Sequence, residues 1–158
     1  MSVFAGAIWR GGGYVFEEYS ELKRRLKQRI RGRVDLWFSF GSHEFLAEVK
    51  HCWLAATARR DQTAKVAEYM DDAKADVRAV HPDGMRRLAV VFGSPEIRQR
   101  HRADMGSHIE WLTTQAADIK DRISADAVAW TFPRLKRFPA SGGFVYPGAV
   151  MWIKEVKR

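Results

Sequence analysis

Asp35 and the tripeptide Glu48-Val49-Lys50 are separated by twelve residues, with Gly41-Ser42 midway between them. Two carboxylates and a lysine are the groups that attend metal-assisted phosphodiester hydrolysis. Carboxylate oxygens bind hard cations such as Mg²⁺. A bound metal lowers the pKa of its water and polarises a phosphoryl oxygen. An ammonium group offsets negative charge as it develops.

The elements that would bring these groups together are legible on both sides of Gly41-Ser42. Val34, Leu36, Phe38 and Phe40 alternate with Asp35, Trp37 and Ser39. Beyond the turn, Phe45, Ala47 and Val49 alternate with Leu46, Glu48 and Lys50. Period two flanking a turn predicts a β-hairpin. Gly-Ser fits a two-residue type II′ turn, which takes Gly at its first central position. That turn fixes a register with Phe40 opposite His43, Phe38 opposite Phe45, Leu36 opposite Ala47 and Asp35 opposite Glu48. The apolar face belongs in the core, and the other face carries Asp35, Trp37, Glu48 and Lys50. Opposed β-carbons lie about 5 Å apart. Two carboxylates at that spacing repel unless a divalent cation lies between them. Asp35 and Glu48 are therefore expected to hold Mg²⁺ or Mn²⁺, with the Val49 carbonyl as a further ligand. Lys50 follows on the same side of its strand and would orient the attacking water.

Upstream, Val15, Tyr19, Leu22, Leu26 and Ile30 recur at helical spacing and predict a helix from Tyr14 to about Arg31, stopped by Gly32. Its outer faces carry Lys23, Arg24, Arg25, Lys27, Arg29 and Arg31, and Arg33 follows. Downstream, Asp61 caps an expected helix to about Val80 whose apolar face is Val66, Tyr69, Met70, Ala73, Val77 and Val80. Residues 87–92 read as a buried strand broken by Gly93-Ser94-Pro95. A third helix is expected over about 107–122, and closing strands over 127–132 and 149–156. This order predicts an α/β fold, a mixed central sheet flanked by helices, in a single domain over 1–158.

Asp35, a gap of twelve and Glu48-Val49-Lys50 on a hairpin, with a helix before and a helix and strand after, resemble the core motif of the PD-(D/E)XK nuclease superfamily over about Tyr14 to Phe92. The resemblance implies a restriction-endonuclease-like three-layer sandwich, with its core at about 14–92 and the C-terminal helix and strands at 107–156. It implies that Asp35, Glu48 and Lys50 are the metal-binding and catalytic residues. It adds Glu18 as an acid from the first helix, and it points to Gln62 and Tyr69 from the helix after the hairpin. Val34 stands where many members have Pro. The tripeptide recurs as Glu155-Val156-Lys157, so the weight of the resemblance rests on the hairpin and its neighbours.

Lys and Arg number 27 against 19 Asp and Glu, a formal net charge of +8. Such an excess favours a polyanionic partner. Lys23, Arg24, Lys27, Arg31 and Arg33, with Arg59 and Arg60, are the expected phosphate contacts, and DNA rather than RNA is the expected substrate. Two further basic stretches, 98–102 and 132–138, suit contact with a nucleic-acid backbone. A chain of this length leaves little room for a separate recognition domain, which suggests a homodimer or a partner subunit. The single Cys52 excludes an intrachain disulfide and a cysteine-based zinc cluster. It reads as a packed thiol in a reducing, cytoplasmic setting. No apolar run approaches bilayer length. The five histidines form no HExxH pair. Two other readings compete with a nuclease: a nuclease-like module that binds nucleic acid or protein without cutting, and a basic interaction protein.

Overall fold

The computed structural model describes residues 3–25, 28–80, 84–133 and 140–157; the side chains of 3, 19–25, 28–32 and 58 are not among what it describes. In chain order the elements are α1 (Val3–Arg10), β1 (Tyr14–Arg25), β2 (Gln28–Phe40), β3 (His43–Ala55), α2 (Thr63–Arg78), β4 (Arg86–Arg98), α3 (Met105–Arg122), β5 (Ala127–Thr131), β6 (Ala140–Ser141), β7 (Phe144–Val145) and β8 (Ala149–Glu155). Short 3-10 turns lie at Ala56–Ala58 and Gln99–Asp104. Among the described residues the strands form a mixed, open eight-stranded sheet in the order β1-β2-β3-β4-β7-β6, and β8 pairs with β4 and β5. The chain is α/β. It divides into two compact units: Met1–Val49 with Asp71–Val90 and Lys154–Arg158, and Lys50–Met70 with Val91–Ile153.

The first unit corrects the sequence reading at its start. The segment expected as a helix from Tyr14 to Arg31 is instead β1 and the first part of β2. They pair antiparallel from Tyr14↔Ser39 to Arg25↔Gln28. Tyr14, Val15 and Phe16 are strand formers. Hydrogen bonds to β2, which no local window reveals, override the helical spacing of the apolar residues. The helix lies earlier, in α1, where Ala5 and Ile8 are buried and Phe4 meets Phe38 edge-on at 5.8 Å. Its end is built by the glycine run. The Gly13 N–H donates to the Ile8 carbonyl and the Gly12 N–H to the Trp9 carbonyl, both at 3.0 Å, with Gly12 at φ 87°. This pair of bonds around a left-handed glycine caps a helix C-terminus.

The hairpin forms as the turn chemistry predicts. β2 and β3 pair from Phe40↔His43 through Phe38↔Phe45 to Leu36↔Ala47. Gly41 has φ 59° and Ser42 has no positive φ, which matches type II′. Phe38 and Phe45 stack at 4.8 Å between ring centroids. The two faces are less cleanly divided than alternation suggests. Leu46, on the face expected to carry the site, is fully buried and packs with Val34 and Val80, flanked by Trp37 and Met85.

In the second unit, Ile97, Met105, Leu112 and Val145 form a core with Ala56, and Ile109, Trp111 and Phe132 pack against it. Trp152 of β8 is buried and its indole N–H donates to the Ala116 carbonyl at 2.9 Å. β4 runs straight through Gly93-Ser94-Pro95, where a break is expected from sequence. Gly93 sits in the strand because a Cβ there would come within 2.6 Å of Leu54 and 3.0 Å of Trp152, a close approach that leaves room only for hydrogen. α2 and α3 match their predicted spans to within two residues. Of the predicted α2 stripe, Val66, Met70, Ala73, Val77 and Val80 are buried and Tyr69 is half-buried. Asp61, expected as the cap of α2, stands one residue before the cap position, where it accepts the Thr63 N–H at 2.8 Å and its hydroxyl at 2.5 Å. No helix among the described residues is long and apolar enough to cross a membrane.

Candidate functional site

The hairpin ladder runs to Leu36↔Ala47. One step further, a side chain continues it: Asp35 Oδ2 accepts the N–H of Val49 at 2.7 Å. The carboxylate therefore takes a main-chain donor from the opposite strand while staying exposed. Charge-assisted bonds of this kind hold a carboxylate more firmly than water does. Glu48 on β3 is 3% exposed, and Lys50, two residues on in the same strand, is half-buried.

Glu18 reaches this region from a strand, not from the helix the sequence reading gave it. Glu17↔Leu36 and Tyr19↔Val34 bracket it, so Glu18 of β1 stands opposite Asp35 of β2. Its φ of 54° is left-handed, an uncommon conformation for a non-glycine residue and one that costs energy. An open cleft of about 460 Å³ is lined by Glu17, Glu18, Asp35 and Leu36. Glu18 Oε2 also pairs with Arg33 Nη1 at 2.9 Å, with both side chains well exposed. Trp37 lies on the Asp35 side and meets Phe16 of β1 at 5.3 Å between centroids.

The remaining sequence candidates are dispersed. Gln62 donates to the Arg60 carbonyl at 2.9 Å just before α2, and Tyr69 is half-buried on that helix. Arg59, in a left-handed conformation at φ 47°, donates to Ser107 Oγ at 2.7 Å, and Arg60 is exposed. The expected basic helix face is a two-stranded arm, with Lys23 and Arg24 on β1 and Arg31 and Arg33 on β2. The side chains of Lys23, Arg24 and Arg31, all of Lys27, and the segment 134–138 lie outside the described residues. His51 is exposed, with its Nε2 hydrogen-bonded to Ser94 Oγ at 2.9 Å. Cys52 is buried, and burial pushes its thiol up to about 11, so it stays protonated and unreactive near neutral pH.

One donor cluster escapes the sequence reading. A ring nitrogen of His101, a carboxylate oxygen of Asp104 and a ring nitrogen of His108 lie within 4.8 Å of one another. No other set of three His, Cys, Asp or Glu ligand atoms comes this close among the described residues; Glu18, Asp35 and Glu48 do not converge to that degree. The only sequence signal was the spacing of Asp104 and His108, four apart and on one helix face. Placing the start of the third helix at Ser107, two residues late, hid it. Comparison with protein-family models, curated proteins and solved structures finds no match to this chain.

Proposed function

We propose that the protein is a metal-dependent nuclease of PD-(D/E)XK type, with the restriction-endonuclease-like three-layer arrangement that such a chain adopts, acting on DNA. The observation that carries this reading is Asp35: an exposed carboxylate anchored across the hairpin by the Val49 N–H, with Glu18 opposite it and Glu48 on the facing strand. The order α1, hairpin, α2, β4 gives the resemblance the flanking helix it needs, although from a different segment than the sequence suggested.

The donor set fits Mg²⁺ in kind. Glu18, Asp35, Glu48 and the Val49 carbonyl offer oxygen only, which suits a hard cation. Because the three carboxylates do not converge, one or two of them would hold the ion and water would complete its shell, as Mg²⁺ prefers. Such an ion would supply an acidified water and a polarised phosphoryl oxygen. The residues themselves do the rest. The Val49 N–H fixes the direction of Asp35. Lys50, on the Glu48 side of β3 by strand alternation, orients the attacking water and offsets charge on the phosphoryl oxygens. Lys23, Arg24, Lys27, Arg31, Arg33 and Arg60 are the cations that would bind the phosphate backbone.

A second reading, a nuclease-like module that binds nucleic acid without cutting it, draws on the Glu18–Arg33 pair, which commits one of the acids to a cation. One experiment decides between the two. Plasmid and single-stranded DNA are incubated with Mg²⁺, Mn²⁺ or EDTA, with Asp35→Ala and Lys50→Ala in parallel. Metal-dependent cutting that both variants lack supports the nuclease. Salt-sensitive DNA binding with no product under any metal supports the module, because phosphate contacts weaken steeply with salt. Cutting that survives both substitutions removes the site from this hairpin.

A further inference from the structure

We propose that His101, Asp104 and His108 form a separate binding site for a borderline divalent transition-metal ion of the Zn²⁺ class, independent of the hairpin carboxylates. The three donors come from adjoining elements, the 3-10 turn Gln99–Asp104 and the first turns of α3. Asp104 occupies the N-cap position of α3, where an Asp side chain ordinarily accepts a backbone N–H of the first turn. Here it makes no such bond, and the Asp104 carbonyl accepts from Ser107 Oγ at 3.0 Å. The carboxylate is left to face His108, one turn along the same helix face. His101 sits where the turn departs from helical geometry, at φ −98° and ψ 16°.

His108 supplies the independent observation. The residue is 5% exposed, and its Nδ1 is buried with no hydrogen-bond partner among the described residues. The Ala56 backbone is the ring's other polar neighbour. A buried imidazole nitrogen with no protein partner, beside a carboxylate and a second imidazole, is placed as a metal ligand is. A buried acceptor left unmatched is otherwise costly and rare.

The donor chemistry selects the ion. Two imidazoles and one carboxylate suit Zn²⁺, Ni²⁺ or Cu²⁺ and are poor for Mg²⁺ or Ca²⁺. Two cations stand near: Arg59, engaged by Ser107, and Arg100, whose Nε donates to His101 Nε2 at 3.2 Å. Both oppose any dication, and an ion that takes the His101 Nε2 lone pair displaces the Arg100 N–H from it. Metal–ligand bonds of about 2.0–2.2 Å put tetrahedral donors roughly 3.4 Å apart, so small side-chain rotations close the present spread of 4.8 Å. Three protein donors leave a fourth position for water.

The test is a calorimetric titration of untagged, chelator-stripped protein with Zn²⁺, and separately with Mg²⁺. Thermal melts and Co²⁺ absorption spectra accompany it. His101→Ala and Asp104→Asn are the informative variants, because neither side chain is fully buried, and circular dichroism confirms that each is folded. Asp35→Ala serves as the control for the hairpin. One equivalent of Zn²⁺ is expected to bind and raise the melting temperature. His101→Ala and Asp104→Asn should each weaken it at least tenfold, and Asp35→Ala should leave it unchanged. Absence of Zn²⁺ binding by the parent protein overturns the proposal. So does binding that both variants retain, or binding that Asp35→Ala removes.

Discussion

In Glu48-Val49-Lys50 the N–H of the middle valine goes to a carboxylate, Asp35 Oδ2, at 2.7 Å. In Glu155-Val156-Lys157 it goes to a backbone carbonyl, that of Arg87, at 2.8 Å. The glutamates differ as much. Glu48 is 3% exposed, whereas Glu155 is partly open and is gripped by Arg86 through two bonds, Nε–Oε1 at 2.9 Å and Nη2–Oε2 at 2.5 Å. The same guanidinium lies over the Phe45 ring at 5.1 Å from its centroid. One tripeptide thus has an exposed acid recruited beside it, and the other finishes a strand. The comparison teaches that one tripeptide meets different partners in two places, and that only the hairpin copy has a second carboxylate delivered to it.

The largest difference should appear in catalysis. Asp35→Ala and Lys50→Ala are each expected to slow metal-dependent DNA cleavage by about 10²-fold or more, while Lys157→Ala leaves the rate within twofold. A loss of equal size at Lys157 would break the comparison. Stability should run the other way at the middle residue. Val156 is 6% exposed and Val49 is half-buried. Val156→Ala is expected to cost about 2 kcal/mol and Val49→Ala less than about 1 kcal/mol in urea unfolding. Glu155→Gln breaks a partly solvated bidentate pair and should lower the urea midpoint only slightly, less than Val156→Ala does, with cleavage unchanged. The smallest effect concerns a carboxylate that serves structure in the same way as Glu155. Bonds from the Thr63 hydroxyl and N–H, and the Arg122 guanidinium at 2.6 Å, hold Asp61 below its ordinary 3.8. Its contribution is then present above that value and lost as pH falls through the lower folded value. Melting temperatures of the parent and Asp61→Asn should differ at pH 5 and draw together as pH falls below 3.8 towards the lower folded value; parallel curves would place no structural charge at Asp61.

The hairpin was legible because everything that shapes it is local. Gly41-Ser42 names its own turn, and alternation on either side sets the register to Leu36↔Ala47. α2 and α3 were legible for a similar reason, as each repeats its apolar stripe over several turns. The residues that failed depend on partners distant in sequence. Val15, Tyr19, Leu22, Leu26 and Ile30 fit a helix by spacing, and only the demand of β2 for a neighbour turns the described part of that segment into β1. Gly93-Ser94-Pro95 looks like a break, and only the pressure of Leu54 and Trp152 makes Gly93 a strand residue. The His101, Asp104 and His108 cluster needed a 3-10 turn that no periodicity announces. Within the hairpin, Asp35 and Glu48 were placed on facing strands by counting. That the ladder gives way there to a bond between the Asp35 side chain and Val49 was beyond counting.

The Val49 amide offers a spectroscopic handle on the hairpin. Its proton rests on a carboxylate oxygen rather than on a peptide carbonyl, so its nuclear magnetic resonance frequency follows the charge of Asp35. Any cation that draws on that carboxylate lengthens or loosens the bond and shifts this one peak. Occupancy of the hairpin can therefore be followed without substrate, at a single backbone position, and compared ion by ion.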